Sequence, residues 1–113
     1  MAYRFVRAKP KRDRLSELRE RLDSGEIAGM EPFGRAMKTA LDDARFDPET
    51  GAAVWIEEDY CTPPLAMERE AVLDDYFESL TVVEESVDED AGWSRIEQFP
   101  SLWERVRSER RSS

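Results

Sequence analysis

Histidine and asparagine are absent from all 113 residues, and Gln98 is the only glutamine. Without histidine there is no imidazole general base, no His–Asp pair, no His-ligated haem and little of ordinary zinc chemistry. Without asparagine, and with one glutamine, amide oxyanion holes and adenine readout by side-chain amides are nearly out of reach. The single cysteine, Cys61, excludes an internal disulfide and an all-thiolate metal centre, and it suits a reducing compartment. No apolar run approaches the about 18 residues that a membrane span needs. The opening Met1-Ala2-Tyr3-Arg4 has no signal-peptide core, so a cytoplasmic location without membrane attachment is expected.

Lysine is scarce as well. Lys9, Lys11 and Lys38 stand against fourteen arginines, and the acids outnumber both to give a net charge of −9. Excess surface carboxylate keeps a chain hydrated and soluble where salt screens charge, at a cost in self-repulsion. This balance points to a salt-loving source. A GC-rich genome, which also favours arginine, leaves an ordinary acidic protein as the alternative. The charge is unevenly spread: residues 1–20 carry +4, residues 102–113 carry +2, and the stretch between them carries −15. The basic ends are free to pair with the acidic body, with a second subunit or with a polyanion.

The length allows one domain, expected over residues 1–103, with 104–113 as a flexible basic tail. Tyr3–Ala8 alternates and is rich in strand formers, which predicts a strand ending before Pro10. Leu15, Leu18 and Leu22 share one helical face, and Ser24-Gly25 ends that helix. Met30, Phe33, Met37, Ala40, Leu41 and Ala44 recur at helical spacing after Pro32. Asp47-Pro48-Glu49-Thr50-Gly51 is a turn. It separates a weak strand near Arg45 and Phe46 from the apolar strand Ala52–Ile56. Thr62-Pro63-Pro64 reads as a helix start capped by Thr62, and Leu65, Val72, Leu73, Tyr76 and Phe77 form its apolar face. Leu80–Val83 is a last strand, Ser86–Gly92 an acidic loop, and residues 93–103 an extended arm packing Trp93, Ile96, Phe99 and Trp103 on the body.

Merging the first two helices into one crossover gives a βαββαβ order. The expected fold is therefore α+β, a ferredoxin-like sandwich with a split first helix and a C-terminal arm. The sheet face away from the helices needs cover, either from a second subunit or from the arm. Trp55 points opposite to Val54 and Ile56, which favours a homodimer.

Candidate sites are few. Cys61 lies between a strand and a helix start, where a helix N-terminus can lower a thiol's pKa. It has no second cysteine or histidine beside it, and a phosphate loop would want arginine where Met67 stands. The clusters Asp42-Asp43, Glu57-Glu58-Asp59, Asp74-Asp75 and Asp88-Glu89-Asp90 read as solvated surface, because adjacent acids point apart; no metal site and no cofactor is expected. Arg4, Arg7, Lys9, Lys11, Arg12 and Arg14, interleaved with Tyr3 and Phe5, form the best basic patch for a nucleic acid. Solvated edge and internal ion pairs are the plainer reading. Trp55, Trp93 and Trp103 are candidates to line a cleft for an unidentified small ligand, or are core.

The segment from Met30 to Val83 carries Phe33-Gly34-Arg35-Ala36-Met37, the Asp47–Gly51 turn and Tyr60-Cys61-Thr62-Pro63-Pro64. It resembles a family of small acidic haloarchaeal proteins to which no activity is assigned, and the resemblance implies no catalytic residue. The expected function is a non-enzymatic interaction or small-ligand-binding dimer. The alternatives are a nucleic-acid-binding module through the basic N-terminal strand, and a cofactor-independent enzyme using Cys61 or a Trp-lined cleft.

Overall fold

The side chains of the first strand alternate between two apolar layers, and the sheet is built around that strand. β1 (Ala2–Pro10) buries Val6 and Ala8 on one face and Phe5 on the other. It pairs antiparallel with β3 (Ala52–Asp59), from Ala2↔Asp59 to Ala8↔Ala53. On its other side it pairs antiparallel with β4 (Phe77–Glu84), with register shifts between Phe5 and Val6 and between Arg7 and Lys9. The short β2 (Arg45–Asp47) forms a hairpin with the start of β3 through the expected turn, giving the order β2-β3-β1-β4. This is a computed structural model that describes residues 2–104 and 106. It is an α+β domain with a four-stranded antiparallel sheet and, among the described residues, four helices.

The helices carry the faces their spacing predicted. A 3-10 turn at Arg12–Arg14 leads into α1 (Leu15–Ser24), which buries Leu15, Leu18 and Leu22 and ends at Gly25 with φ 86°, a conformation glycine adopts without penalty. α2 (Gly34–Asp42) buries Met37, Ala40 and Leu41 and packs against β3. α3 is a composite: Ala66–Glu68, a π-helical stretch Arg69–Leu73 and Asp74–Tyr76 follow one another directly. Its Val72, Leu73 and Tyr76 join Val6, Ala53, Trp55 and Phe77 in the main core.

Two local expectations change. The third helix does not start at Thr62. It starts at Ala66, after Leu65 in a left-handed conformation (φ 61°). Leu65 is held there because its N–H donates to Asp59 Oδ2 at 2.8 Å. The acidic loop and the arm also divide differently. Residues Glu89–Ile96 form α4, capped by the Asp88 carboxylate, which accepts from the Ala91 N–H at 3.0 Å. Trp93 and Ile96, three residues apart, share one face of this helix, a pattern too short to stand out in the chain. The stretch after α4 runs through turns, with a bridge at Ser101. There the Phe46 N–H donates to Pro100 O and Arg45 bridges to Ser101, so the arm runs along the outer edge of β2.

Over β3 and the start of β1, the second sheet face is covered by α4 and the arm. Phe5, Val54 and Ile56 pack there with Ile96, Trp93 and Phe99. Trp55 lies on the helix side, fully buried within one chain, so it is no interface residue. Val106 is also buried, so the domain runs past its expected end at 103. The rest of the expected basic tail, apart from Glu104, lies outside the described residues. No helix among the described residues is long and apolar enough to cross a membrane.

Candidate functional site

The strand period that buries Val6 and Trp55 carries ionisable groups inward with them. In β3 the side chains of Trp55, Glu57 and Asp59 project to one face, and Arg4 of β1 lies opposite Glu57. Glu57 is 0% exposed and Asp59 2%. α3 then brings Glu68, 1% exposed, into the same place. The run Glu57-Glu58-Asp59 is therefore not solvated surface: its first and last members are core residues, and only Glu58 is partly open to water.

Asp59 organises the surrounding loop. Its Oδ1 accepts the Cys61 N–H at 2.9 Å, and its Oδ2 accepts Leu65 N–H at 2.8 Å and Arg4 Nε at 3.0 Å. These bonds turn the chain after β3 back toward the sheet. Burial opposes the charged form of Asp59, but the two backbone donors and Arg4 outweigh it and hold its carboxyl below the usual range. Arg4 also donates to the carbonyls of Glu85 and Cys61.

The other two carboxylates are less well supplied. Glu57 Oε1 accepts the Trp55 indole N–H at 2.9 Å, and Glu68 Oε1 accepts the Cys61 S–H at 3.8 Å. The second oxygens, Glu57 Oε2 and Glu68 Oε2, are buried without a hydrogen-bond partner among the described residues. Burial, reinforced by the neighbouring carboxylates, pushes Glu57 up to about 8 and Glu68 up to about 7. Cys61 is half-buried. The Met67 N–H favours its thiolate, but burial and the charges of Glu68 and Asp59 prevail and raise the thiol. That direction is opposite to the one expected for a thiol activated at a helix N-terminus.

The remaining sequence candidates are dispersed. Trp55 tilts against Phe77, with ring centroids 5.1 Å apart, in the main core. Trp103 is fully buried, donates its indole N–H to Leu41 O at 2.6 Å and lies under the Arg19 guanidinium. Trp93 alone lines a cleft, a mixed one of about 430 Å³ with Tyr3, Ile56, Arg35, Glu58 and Glu89. Trp55 and Trp103 belong to one core cluster, and Trp93 packs against it, so the three do not frame an open cleft together. Of the basic patch, Arg4 is committed to Asp59, Lys11 Nζ donates to Asp74 O, and Arg12 sits over the Phe46 ring. Arg7 and Lys9 are exposed.

A second cavity, of about 460 Å³, opens between β2 and the arm. Pro10, Leu15, Phe46, Pro48, Pro100 and Leu102 give it an apolar lining, and Arg12 and Glu104 are its charged members. Sequence reading missed it because its walls come from three separate segments. No family model matches the chain, and no curated protein or solved structure is similar to it.

Proposed function

We propose that the protein is a small binding module on a ferredoxin-like βαββαβ framework. It holds a flat, largely apolar molecule bearing an acidic group, and does not convert it. The framework reading is supported by the order β2-β3-β1-β4, with all neighbours antiparallel and the helices in the crossovers. The observation that carries the ligand reading is the apolar groove of about 460 Å³ with Arg12 at it. Small-molecule sites are concave, mostly apolar and carry few polar groups, with volumes of about 300–1,000 Å³. Arg12 lies 5.5 Å over the Phe46 ring, so a guanidinium and an aromatic face meet at the groove, a pair suited to a planar carboxylate. Holding rather than turnover is supported by the lack of histidine and by the raised Cys61 thiol. The acid-rich composition supports a salt-rich cytoplasm as the setting.

The test is a titration of the isotope-labelled chain with benzoate and naphthoate in concentrated KCl, followed by amide chemical shifts. Shifts confined to the surroundings of Arg12, Phe46 and Leu102, and abolished by Arg12→Glu, are expected. An unchanged spectrum, or shifts that persist in Arg12→Glu, would overturn the proposal.

The nucleic-acid alternative has less support, since Arg4, Lys11 and Arg14 are tied to groups of this chain. For the homodimer, the supporting feature is the outer edge of β4. Among the described residues that strand pairs with β1 alone and exposes Val83, while α2 and the arm flank the other side of the sheet. Glu78, Glu84 and Glu85 are exposed on or beside that edge, so pairing there requires salt to screen them.

A further inference from the structure

We propose that Asp59, Cys61 and Glu68 form a site for one divalent cation of the zinc class, separate from the groove above. One ligand atom from each of the three lies within 4.8 Å of the others. The Cys61 Sγ to Glu68 Oε1 distance is 3.8 Å. With metal–sulfur and metal–oxygen bonds of about 2.3 and 2.0 Å, a tetrahedral ion sets sulfur and oxygen ligands about 3.5 Å apart, so little contraction is needed.

An acidic cluster alone would not establish a site, and here two further features point to an occupant. Glu68 is 1% exposed, and its Oε2 has no partner among the described residues. Glu57, 0% exposed and two residues before Asp59 on the same strand face, leaves Oε2 unpartnered as well. A buried oxygen without a donor costs about 1–3 kcal/mol, and more when charged. Three buried carboxyl groups face one guanidinium, Arg4, so the cluster is short of positive charge. A divalent cation would supply it.

The donor set selects the class of ion. Calcium and magnesium take oxygen ligands almost exclusively, and magnesium demands near-octahedral geometry. One sulfur with carboxylate oxygens suits zinc or cobalt(II). Asp59 Oδ1 accepts one hydrogen bond and keeps a lone pair for the ion. The half-buried Cys61 gives the ion its route from solvent. On binding, the Cys61 S–H proton leaves to solvent, the thiolate sulfur bonds the metal, and the S–H bond to Glu68 is replaced by metal coordination.

The experiment uses the full chain, stripped with a chelator, in concentrated KCl so that surface carboxylates are screened. Cobalt(II) and zinc are the probes. One cobalt per chain with a thiolate-to-cobalt charge-transfer band in the near ultraviolet is expected, displaced by zinc and untouched by a large excess of magnesium. Zinc is expected to protect Cys61 from alkylation. Cys61→Ala is expected to lose the band, and Glu68→Gln to weaken binding by about 100-fold. Glu68→Gln keeps the shape of the side chain and removes a buried charge, so it is expected to fold, as checked by circular dichroism. Glu58→Gln, on the solvent side of the same strand, is the control and should bind as the parent does. No band, affinity unchanged in Cys61→Ala and Glu68→Gln, or equal loss in Glu58→Gln would each overturn the site.

Discussion

The indole N–H of Trp55 donates to Oε1 of Glu57 at 2.9 Å, two residues along one strand and both on its buried face. The bond joins one of the two fully buried tryptophans to the most completely buried carboxylate. It carries the apolar layer of the sheet straight into the acidic cluster, with no polar boundary between them. The cluster is therefore part of the packing: moving Glu57 means moving Trp55, and with it Phe77.

Trp55→Phe keeps most of the apolar volume and removes the indole donor to Glu57. The expected loss is about 1–3 kcal/mol, the cost of an unpaired buried acceptor added to the volume change. Glu57→Gln keeps an acceptor for the indole and removes the cost of holding a carboxyl protonated in the core, so urea unfolding near pH 7 is expected to find it as stable as the parent or more so. If the two variants reversed this order, the hydrogen bond would not be what supports Glu57.

Much of this arrangement is legible in the sequence, and the parts that are not have physical causes. The strands and the first two helices follow from alternation at Tyr3–Ala8 and from the leucines at 15, 18 and 22. The cluster is half legible. Once Trp55 faces the core, a period of two carries Glu57 and Asp59 inward with it. On the third helix, Glu68 stands three residues after Leu65 and four before Val72, in the middle of the apolar stripe. An ionisable residue on such a stripe reads as a gap, and only long-range pairing shows that two gaps coincide. The helix Glu89–Ile96 escaped because a two-turn helix offers one apolar pair and a cap. The groove escaped because no local pattern encodes the approach of Pro100 to Phe46.

Asp42 gives the clearest dependence on acid. Burial works against its charge, but hydrogen bonds from Lys38 and from Arg19, the latter at 2.7 Å, more than compensate and lower its pKa. A carboxyl with a depressed folded-state pKa contributes stability that is full above its unfolded value of about 3.9 and is lost as pH falls through the folded value. Asp42→Asn is expected to cost about 1 kcal/mol at pH 7 and less as the pH is lowered past 4. Equal losses at pH 7 and pH 3 in chemical denaturation would show that the ion pairs contribute nothing.

Two glycines separate backbone from side-chain crowding. A Cβ on Gly34, at the start of α2, would lie 2.2 Å from Ile27 O and 2.9 Å from Ala28 O, both fixed backbone atoms. A Cβ on Gly92 in α4 would meet Ile56 Cδ1 at 2.7 Å, the end of a side chain that can turn. Gly34→Ala is expected to lose about 3 kcal/mol or fail to fold. In Gly92→Ala the better helix propensity of alanine, about 1 kcal/mol, offsets part of the clash. Thermal melts giving the two equal midpoints would contradict this ranking.

Pairing through β4 is a matter of charge as much as of shape. The outer edge of that strand offers free backbone groups and the exposed Val83, but Glu78, Glu84 and Glu85 stand on or beside it. Two copies meeting there bring like charges together, and at low ionic strength repulsion across tens of ångströms is barely screened. Raising salt shortens that reach to about 3 Å near 1 M and leaves the apolar contact in place. Light scattering is therefore expected to find a monomer in dilute buffer and a dimer in concentrated KCl, and Val83→Lys is expected to stay monomeric in both. Trp55→Ala is expected to lower the melting temperature at either salt without a specific effect on association, because Trp55 is fully buried inside one chain. A monomer at all salt concentrations, or a dimer unaffected by Val83→Lys, rules out this edge as the interface.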